Sequence, residues 1–457
     1  GTDTLTLGRA IAGAGSLTKE GAGTLTLSTA NTYSGGSTIN AGVLSAQANN
    51  SLGAGGVSIA STGTLQLGTV TLANPVSLDG GGLRATGVAV LTGIVGQTED
   101  GTLSSADSLA SLSLQRTFSG GSHALDINGP GRFSLAGGAS GLASLNLAAD
   151  SRLDLGSGQS IISSGAQTYL GAVTGTRTTL LGTGGATITA NNPDNDFVGL
   201  FSVTGGTTQL SDTNALTVAL TTGETTLHSG ASLSVSGSAA SLNATSGGAL
   251  DFGQTTVERI TRVTASGNLT QSGPLTLKGA STLDAGANAI TLSDEHNDFV
   301  GLLSVTGGTT QLRDANALTA ALTTGETTLH SGASLSVSGS TASLDATSGD
   351  ALVFGAGGTL VSGNARLDAG GPVSQSGKLD VGGDATLVAG SQPVSLTDSG
   401  NRVAGLFQLS TTGAVGLAGH FGDVDLSTGA LDFGQTTVER ITRVTASGNL
   451  TQSGPLT

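Results

Sequence analysis

Short runs in which every second residue is apolar fill this chain, as in Thr24-Leu25-Thr26-Leu27, Ser232-Leu233-Ser234-Val235 and Ala249-Leu250-Asp251-Phe252. Most break at Gly, Asn or Asp after four to six residues. A period of two sends alternate side chains to opposite faces of an extended backbone, so these runs predict short, half-buried β-strands. No useful length keeps the i, i+3, i+4, i+7 spacing of an amphipathic helix, and Thr, Ser, Val and Gly are poor helix formers. The pattern predicts an all-β fold.

The strands belong to a tandem array. Residues 195–253 return at 297–355, an offset of 102, with 51 of 59 positions identical. A diverged third copy opens at Asn401, and residues 429–457 repeat 248–276 without a change. A sandwich would not repeat in this way, and a propeller blade has a shorter period with its own signatures. The expectation is an elongated, right-handed parallel β-helix, with about five coils of ~20 residues per long unit. At ~4.8 Å per coil, roughly 23 coils would span about 110 Å. Core and surface separate between the close copies: Phe201 becomes Leu303 and Val218 becomes Ala320, whereas Ser211→Arg and Asn243→Asp fall at alternating polar positions. Asp251, which becomes Val353, is expected to point outward. Three segments are expected: 1–87, a less regular 88–160 carrying a loop that leaves the rod, and 161–457 with long units starting near 195, 297 and 401. The array stops in mid-unit and lacks Met, so the chain reads as a fragment whose open last coil predicts end-to-end self-association.

Composition narrows the function. There are 76 Gly, 3% aromatics, and no Trp, Met or Cys, which suits thin layers of Leu, Val and Ile more than a globular core. The 37% hydrophobic and 10% charged content leaves enough apolar surface to fold. A net charge of −15 with 16 scattered basic residues argues against nucleic acid and anionic membrane as partners. No apolar run approaches the ~18 residues of a membrane-spanning helix, so this segment is not expected to insert into a bilayer. The lack of Cys fits an exported chain that folds without disulfides.

Candidate chemistry centres on the start of each long unit: Asn195-Asp196-Phe197 with Gly199, Asn297-Asp298-Phe299 with Gly301, and Asn401 with Gly405. Asp194 and Asp294-Glu295-His296 nearby raise a calcium site. The third copy replaces the Asp and Phe by Arg402 and Val403, which would spoil a metal site but not a turn, so these are read as structural repeat positions. The five His residues show no metal spacing. The 31 acidic residues form no cluster beyond Asp294, Glu295 and Asp298, and paired-carboxylate catalysis of the kind that cleaves polysaccharides needs one. No catalytic residue, metal or cofactor is expected.

Residues 21–44, Gly21-Ala22-Gly23-Thr24-Leu25-Thr26-Leu27 through Tyr33-Ser34-Gly35-Gly36-Ser37-Thr38-Ile39-Asn40-Ala41-Gly42-Val43-Leu44, closely resemble the passenger-associated repeat of bacterial autotransporters. Gln167-Thr168-Tyr169-Leu170-Gly171-Ala172-Val173, the Asn-Asp-Phe-Val-Gly units and Gly267-Asn268-Leu269-Thr270-Gln271-Ser272-Gly273 are similar to repeats of filamentous haemagglutinin-like exoproteins. The resemblance implies a Gram-negative, type V-secreted protein at the cell surface, with adhesion to host cells, other bacteria or a matrix. The alternative is a spacer or stalk that holds an active tip elsewhere.

Overall fold

The computed structural model describes residues 3–457. Apart from one turn of 3-10 helix at Thr183–Gly185, the regular structure of the described residues is all β-strand. Two compact units, Gly1–Ala231 and Ser232–Thr457, are each a stack of parallel strands, so the chain folds as a β-solenoid.

Stacking follows from the alternation. In the first unit one face carries Thr4 under Thr24, Thr24 under Val43, Val43 under Thr64 and Thr64 under Gly82. A second face runs from Leu17 through Ser37 and Val57 to Val76 and Val95. From residue 70 onward a third face forms a seven-stranded parallel sheet: Val70–Leu72, Val88–Leu91, Ser111–Leu114, Arg132–Leu135, Arg152–Ser157, Ala172–Thr176 and Asp196–Val198. Its inward column, Leu112, Phe133, Leu153 and Val173, is buried. A one-residue slip would turn that column to solvent, which is why the register is strongly specified.

Coil length is not uniform. Around 88–160 the steps lengthen, with Val88 under Ser111 and Gly101 under Leu125. The extra residues fall mainly between Ser105 and Ser111, where Leu109 is 87% exposed. In the second unit a full coil has three strands, Leu269–Gln271, Leu275–Leu277 and Ser281–Asp284. Compact coils follow, in which Leu302 lies under Thr319, and Leu318 under Leu335, steps of 17 residues. The strands there are longer than the alternating runs predict: Leu318–Ser331 and Leu335–Ser348 have 14 residues each. Two successive coils of equal length stack even at their corners, so the ladder continues from Leu322–Gly339 to Glu326–Ser343. At that corner a side chain on Gly325 would stand 3.1 Å from the Gly308 backbone.

This unevenness adds a fraction of a coil to the expected five or so per repeat. Leu303 and Phe407 occupy equivalent positions, six residues after Asn297 and Asn401. The column of Leu303 passes through Ala320, Val337 and Phe354 to Gln375, and the next step reaches the strand Val394–Leu396. Phe407 instead tops the column of Thr310, Thr327, Leu344, Ala365 and Ala385. The repeat thus holds five coils and about half of a sixth, and equivalent residues stand on different faces.

Residues 248–276 and 429–457 have one sequence but different cover. Leu269 is 0% exposed beneath Ile290. Its twin Leu450, with no strand of these 457 residues above it, is 59% exposed. Each coil is buried by the next, which is the nearest-neighbour energetics of solenoids. Among the described residues no helix is long and apolar enough to cross a membrane.

Candidate functional site

The repeat-initiating residues converge on one local device. Three residues before each Asn stands an Asn or Asp whose side chain accepts the backbone N–H two residues on: Asn192 with Asp194, Asp294 with His296, and Asp398 with Gly400. The turn closes with the N–H of Asn195, Asn297 and Asn401 on the backbone carbonyl of that same residue. Such Asx turns are what Asn and Asp do best in loops. The turn then swings the second Asn inward, where all three are buried.

There they tie coils together. Asn195 Oδ1 accepts the N–H of Val173 in the coil below at 2.8 Å, while its Nδ2 donates to the carbonyls of Ala190 and Ser211 at 2.9 and 3.1 Å. Asn297 accepts from Leu275 N–H at 2.9 Å and forms a two-way amide pair with Gln271, both bonds 2.9 Å. Asn401 repeats this with Leu379 at 2.8 Å and Gln375, again at 2.9 Å each way. Asn31 does the same in the first unit, accepting from Ile11 N–H and donating to the Ser51 carbonyl. A buried amide satisfied on both its oxygen and nitrogen fixes the height and rotation of each coil, because backbone groups at these bends have no strand partner.

The neighbouring residues divide their tasks. Phe197 and Phe299 are buried, and Phe197 stacks on Phe201 with ring centres 4.2 Å apart. Asp196 and Asp298 face outward and accept from Asn214 and Asn316 at 3.3 and 3.2 Å. Gly199 sits at φ +75°, a conformation that L side chains rarely adopt, whereas Gly301 does not. A side chain at Gly301 would instead meet the Gly279 carbonyl at 2.5 Å, and one at Gly405 would meet Asp384 at 2.2 Å.

Two carboxylates escaped sequence reasoning. Asp212 and Asp314, each 1% exposed, accept the N–H of Phe197 and Asn214, and of Phe299 and Asn316, at 2.7–2.9 Å. Burial pushes both carboxyls above the ordinary Asp range, and the charges of Asp196 and Asp298 push the same way, against the lowering pull of those N–H donors. In the third copy Ala418 stands at this place, and Val403 pairs directly with Phe421 in the ladder. With the folded pKa raised, the stability contributed by Asp314 is fully present below the unfolded value of about 3.9 and lost as pH rises through the folded value. Amide exchange at Phe299 and Asn316, referenced to coils without such a carboxyl, should therefore become less protected over that window. A D314N chain in which the same dependence persists would refute the assignment.

Asp251 faces outward between buried Leu250 and Phe252 and accepts hydroxyl bonds from Thr270 and Ser272 at 3.0 and 2.6 Å. These lie at the surface, so Asp251→Val should cost less than about 1 kcal/mol in urea unfolding. A loss of several kcal/mol would contradict the outward placement.

Asp294, Glu295 and His296 are occupied with one another and with the turn: His296 Nδ1 lies 3.2 Å from Asp294, and Glu295 lies 3.8 Å from Arg313. Among the described residues no group of three or more His, Asp or Glu gathers as a metal site. Also unforeseen is Lys19, whose buried ammonium donates to the carbonyls of Glu20, Gly21 and Ala41 at 2.6–3.0 Å. A lone Lys after Leu-Thr gives no sequence signal of this, but the Asn residues do, through their coil-length separation from a bend.

Comparison with known proteins places two kinds of repeat on this frame. Residues 17–46 match the passenger-associated-transport-repeat. Residues 237–306, 341–410 and 421–457 match repeats of unknown function, the first two starting 104 residues apart and neither at the start of a long unit. No curated protein matches the chain, and no solved structure does. The first repeat and the β-solenoid together fit an autotransporter passenger.

Proposed function

We propose that this chain is part of a secreted, surface-displayed autotransporter passenger, and that it acts without catalysis as an adhesive surface toward cells or matrix. The carrying observation is the passenger-associated-transport-repeat at 17–46. Its strands Leu17–Lys19, Thr24–Leu27 and Ser37–Ala46 are coils of the same stack as the rest of the first unit. A solenoid suits this role, since stacked coils present broad outward columns of Ser and Thr that vary without disturbing the core. Likeness to filamentous haemagglutinin-like repeats supports the same reading. The non-catalytic part is supported by the use of the buried carboxylates of Asp212 and Asp314 as backbone acceptors. Beads coated with the chain should adhere to epithelial cells or extracellular matrix more than beads coated with an unrelated acidic protein. Equal attachment would favour the spacer role, which the compact 17-residue coils of the second unit also suit.

A further inference from the structure

The outward side of the seven-stranded sheet in the first unit carries a feature that the long repeats lack. Arg132 and Arg152 are 20 residues apart in sequence, which is one coil, so they stand in register on neighbouring strands with Ser111 below and Ala172 above. The next outward column reads Ser113, Ser134, Asp154, Thr174. Together with Asp194 on the adjoining turn, these residues line a groove of about 380 Å³.

Two like charges on adjacent strands, about 4.8 Å apart, are an unfavourable cross-strand pair. Yet neither guanidinium has an ion pair or side-chain hydrogen bond among the described residues, in a protein where acidic residues outnumber basic ones 31 to 16. Several basic residues elsewhere take such partners, among them Lys278 with Glu258, Arg366 with Asp345, Arg402 with Asp380 and Arg440 with Asp423; Arg84 and Arg262 have none among the described residues, but they stack on Gln66 and Ser104, and on Asn243 and Thr282, not on a second arginine. Two planar, five-donor cations stacked one coil apart, with no ion-pair or side-chain hydrogen-bond partner of their own, are suited to carboxylate or sulfate groups brought by a ligand.

The surroundings select among anions. Hydroxyls from Ser113, Ser134 and Thr174 and the Asp154 carboxylate line the same groove, and Asp194 borders it. They can exchange hydrogen bonds with the neutral hydroxyl groups that a sugar chain carries beside its anions, which a single-stranded DNA backbone or a bilayer of phosphatidylserine does not offer. We propose that this groove binds an acidic polysaccharide running across the strands, with Arg132 and Arg152 holding its carboxylate or sulfate groups and the Ser, Thr and Asp side chains reading its hydroxyls. This rests on the adhesion reading for its biological sense, though not for its chemistry.

The test uses the whole chain and four probes: a heparin oligosaccharide, an oligogalacturonate, neutral dextran and a single-stranded oligodeoxynucleotide. Calorimetric titration should show binding of at least one acidic glycan, weakening about 10-fold or more between ~0.05 and ~0.2 M salt. R132Q/R152Q should lose about 10-fold or more, R132K/R152K part of that, and R366Q, at a paired surface arginine, less than about 2-fold. Which of the two glycans binds tells sulfate from carboxylate recognition. The proposal falls if neither acidic glycan binds, if dextran or the oligodeoxynucleotide binds as tightly, or if the folded R132Q/R152Q chain binds like the parent. Bead attachment separates this outcome from the adhesion reading. Adhesion without glycan binding overturns the groove alone, and glycan binding by a chain that adheres to nothing overturns adhesion alone.

Discussion

Replacing Asn297 by Ala is expected to cost about 3–5 kcal/mol, one of the two largest losses from a single change in this chain. The substitution strands several buried groups at once, each worth about 1–3 kcal/mol when left unpaired. Leu275 N–H loses its acceptor, Gln271 Oε1 and the Leu292 carbonyl lose their donor, and Gln271 Nε2 keeps only the Gly273 carbonyl. Gln271→Ala should cost less, about 1–2 kcal/mol, because Asn297 keeps Leu275 and the Leu292 carbonyl. Asn195 shows the clamp working without a Gln partner. Urea unfolding gives the magnitudes, and hydrogen exchange locates them, with the Leu275 amide losing protection first in N297A. A loss below about 1 kcal/mol would mean that water takes over the role of the amide, and the clamp would not be what holds the coils in step.

The second large loss is expected for Phe299→Ala, about 3–5 kcal/mol, from removal of a fully buried ring and the cavity it leaves. The copies show how the surrounding volume is conserved. The first has Phe197 on Phe201, the second Phe299 with Leu303, and the third Val403 with Phe407 stacked on Phe421 at 5.4 Å. Phe299→Leu should accordingly cost less than half of the alanine change, as the site can take a branched aliphatic chain. Equal losses for both variants, or for F299A and D251V, would reverse the assignment of inside and outside.

Much of this could be read before any coordinates. Alternation in Ala249-Leu250-Asp251-Phe252 announces the strand and its inner face, and the 102-residue period announces the solenoid. What stayed hidden depends on coil length, which no local pattern states. Gln271 and Asn297 meet across 26 residues, and Arg132 and Arg152 across 20. Neither distance means anything until the local coil is known, because a step of 17 or 22 would place different residues side by side. Asp212 and Asp314 look like ordinary polar turn residues for the same reason. Their burial comes from the Phe-bearing coil, 15 residues earlier, whose backbone they satisfy. The long strands Leu318–Ser331 and Leu335–Ser348 were equally illegible, since the Thr323-Thr324-Gly325 corner reads as a break until Ser340-Thr341-Ala342 of the next coil lies on top of it.

The half coil left over in each repeat bears on how such an array can grow or shrink. If a recombination event removed one block between Leu303 and Phe407, Phe407 would follow on the strand that leads to Leu303, which stands over Ser281, half a coil away from its present place over Ala385. Everything after the junction would be turned from one side of the solenoid to the other. Removal of two blocks would restore the original heading. Odd and even arrays built from the same sequence would therefore aim their downstream surfaces in opposite directions.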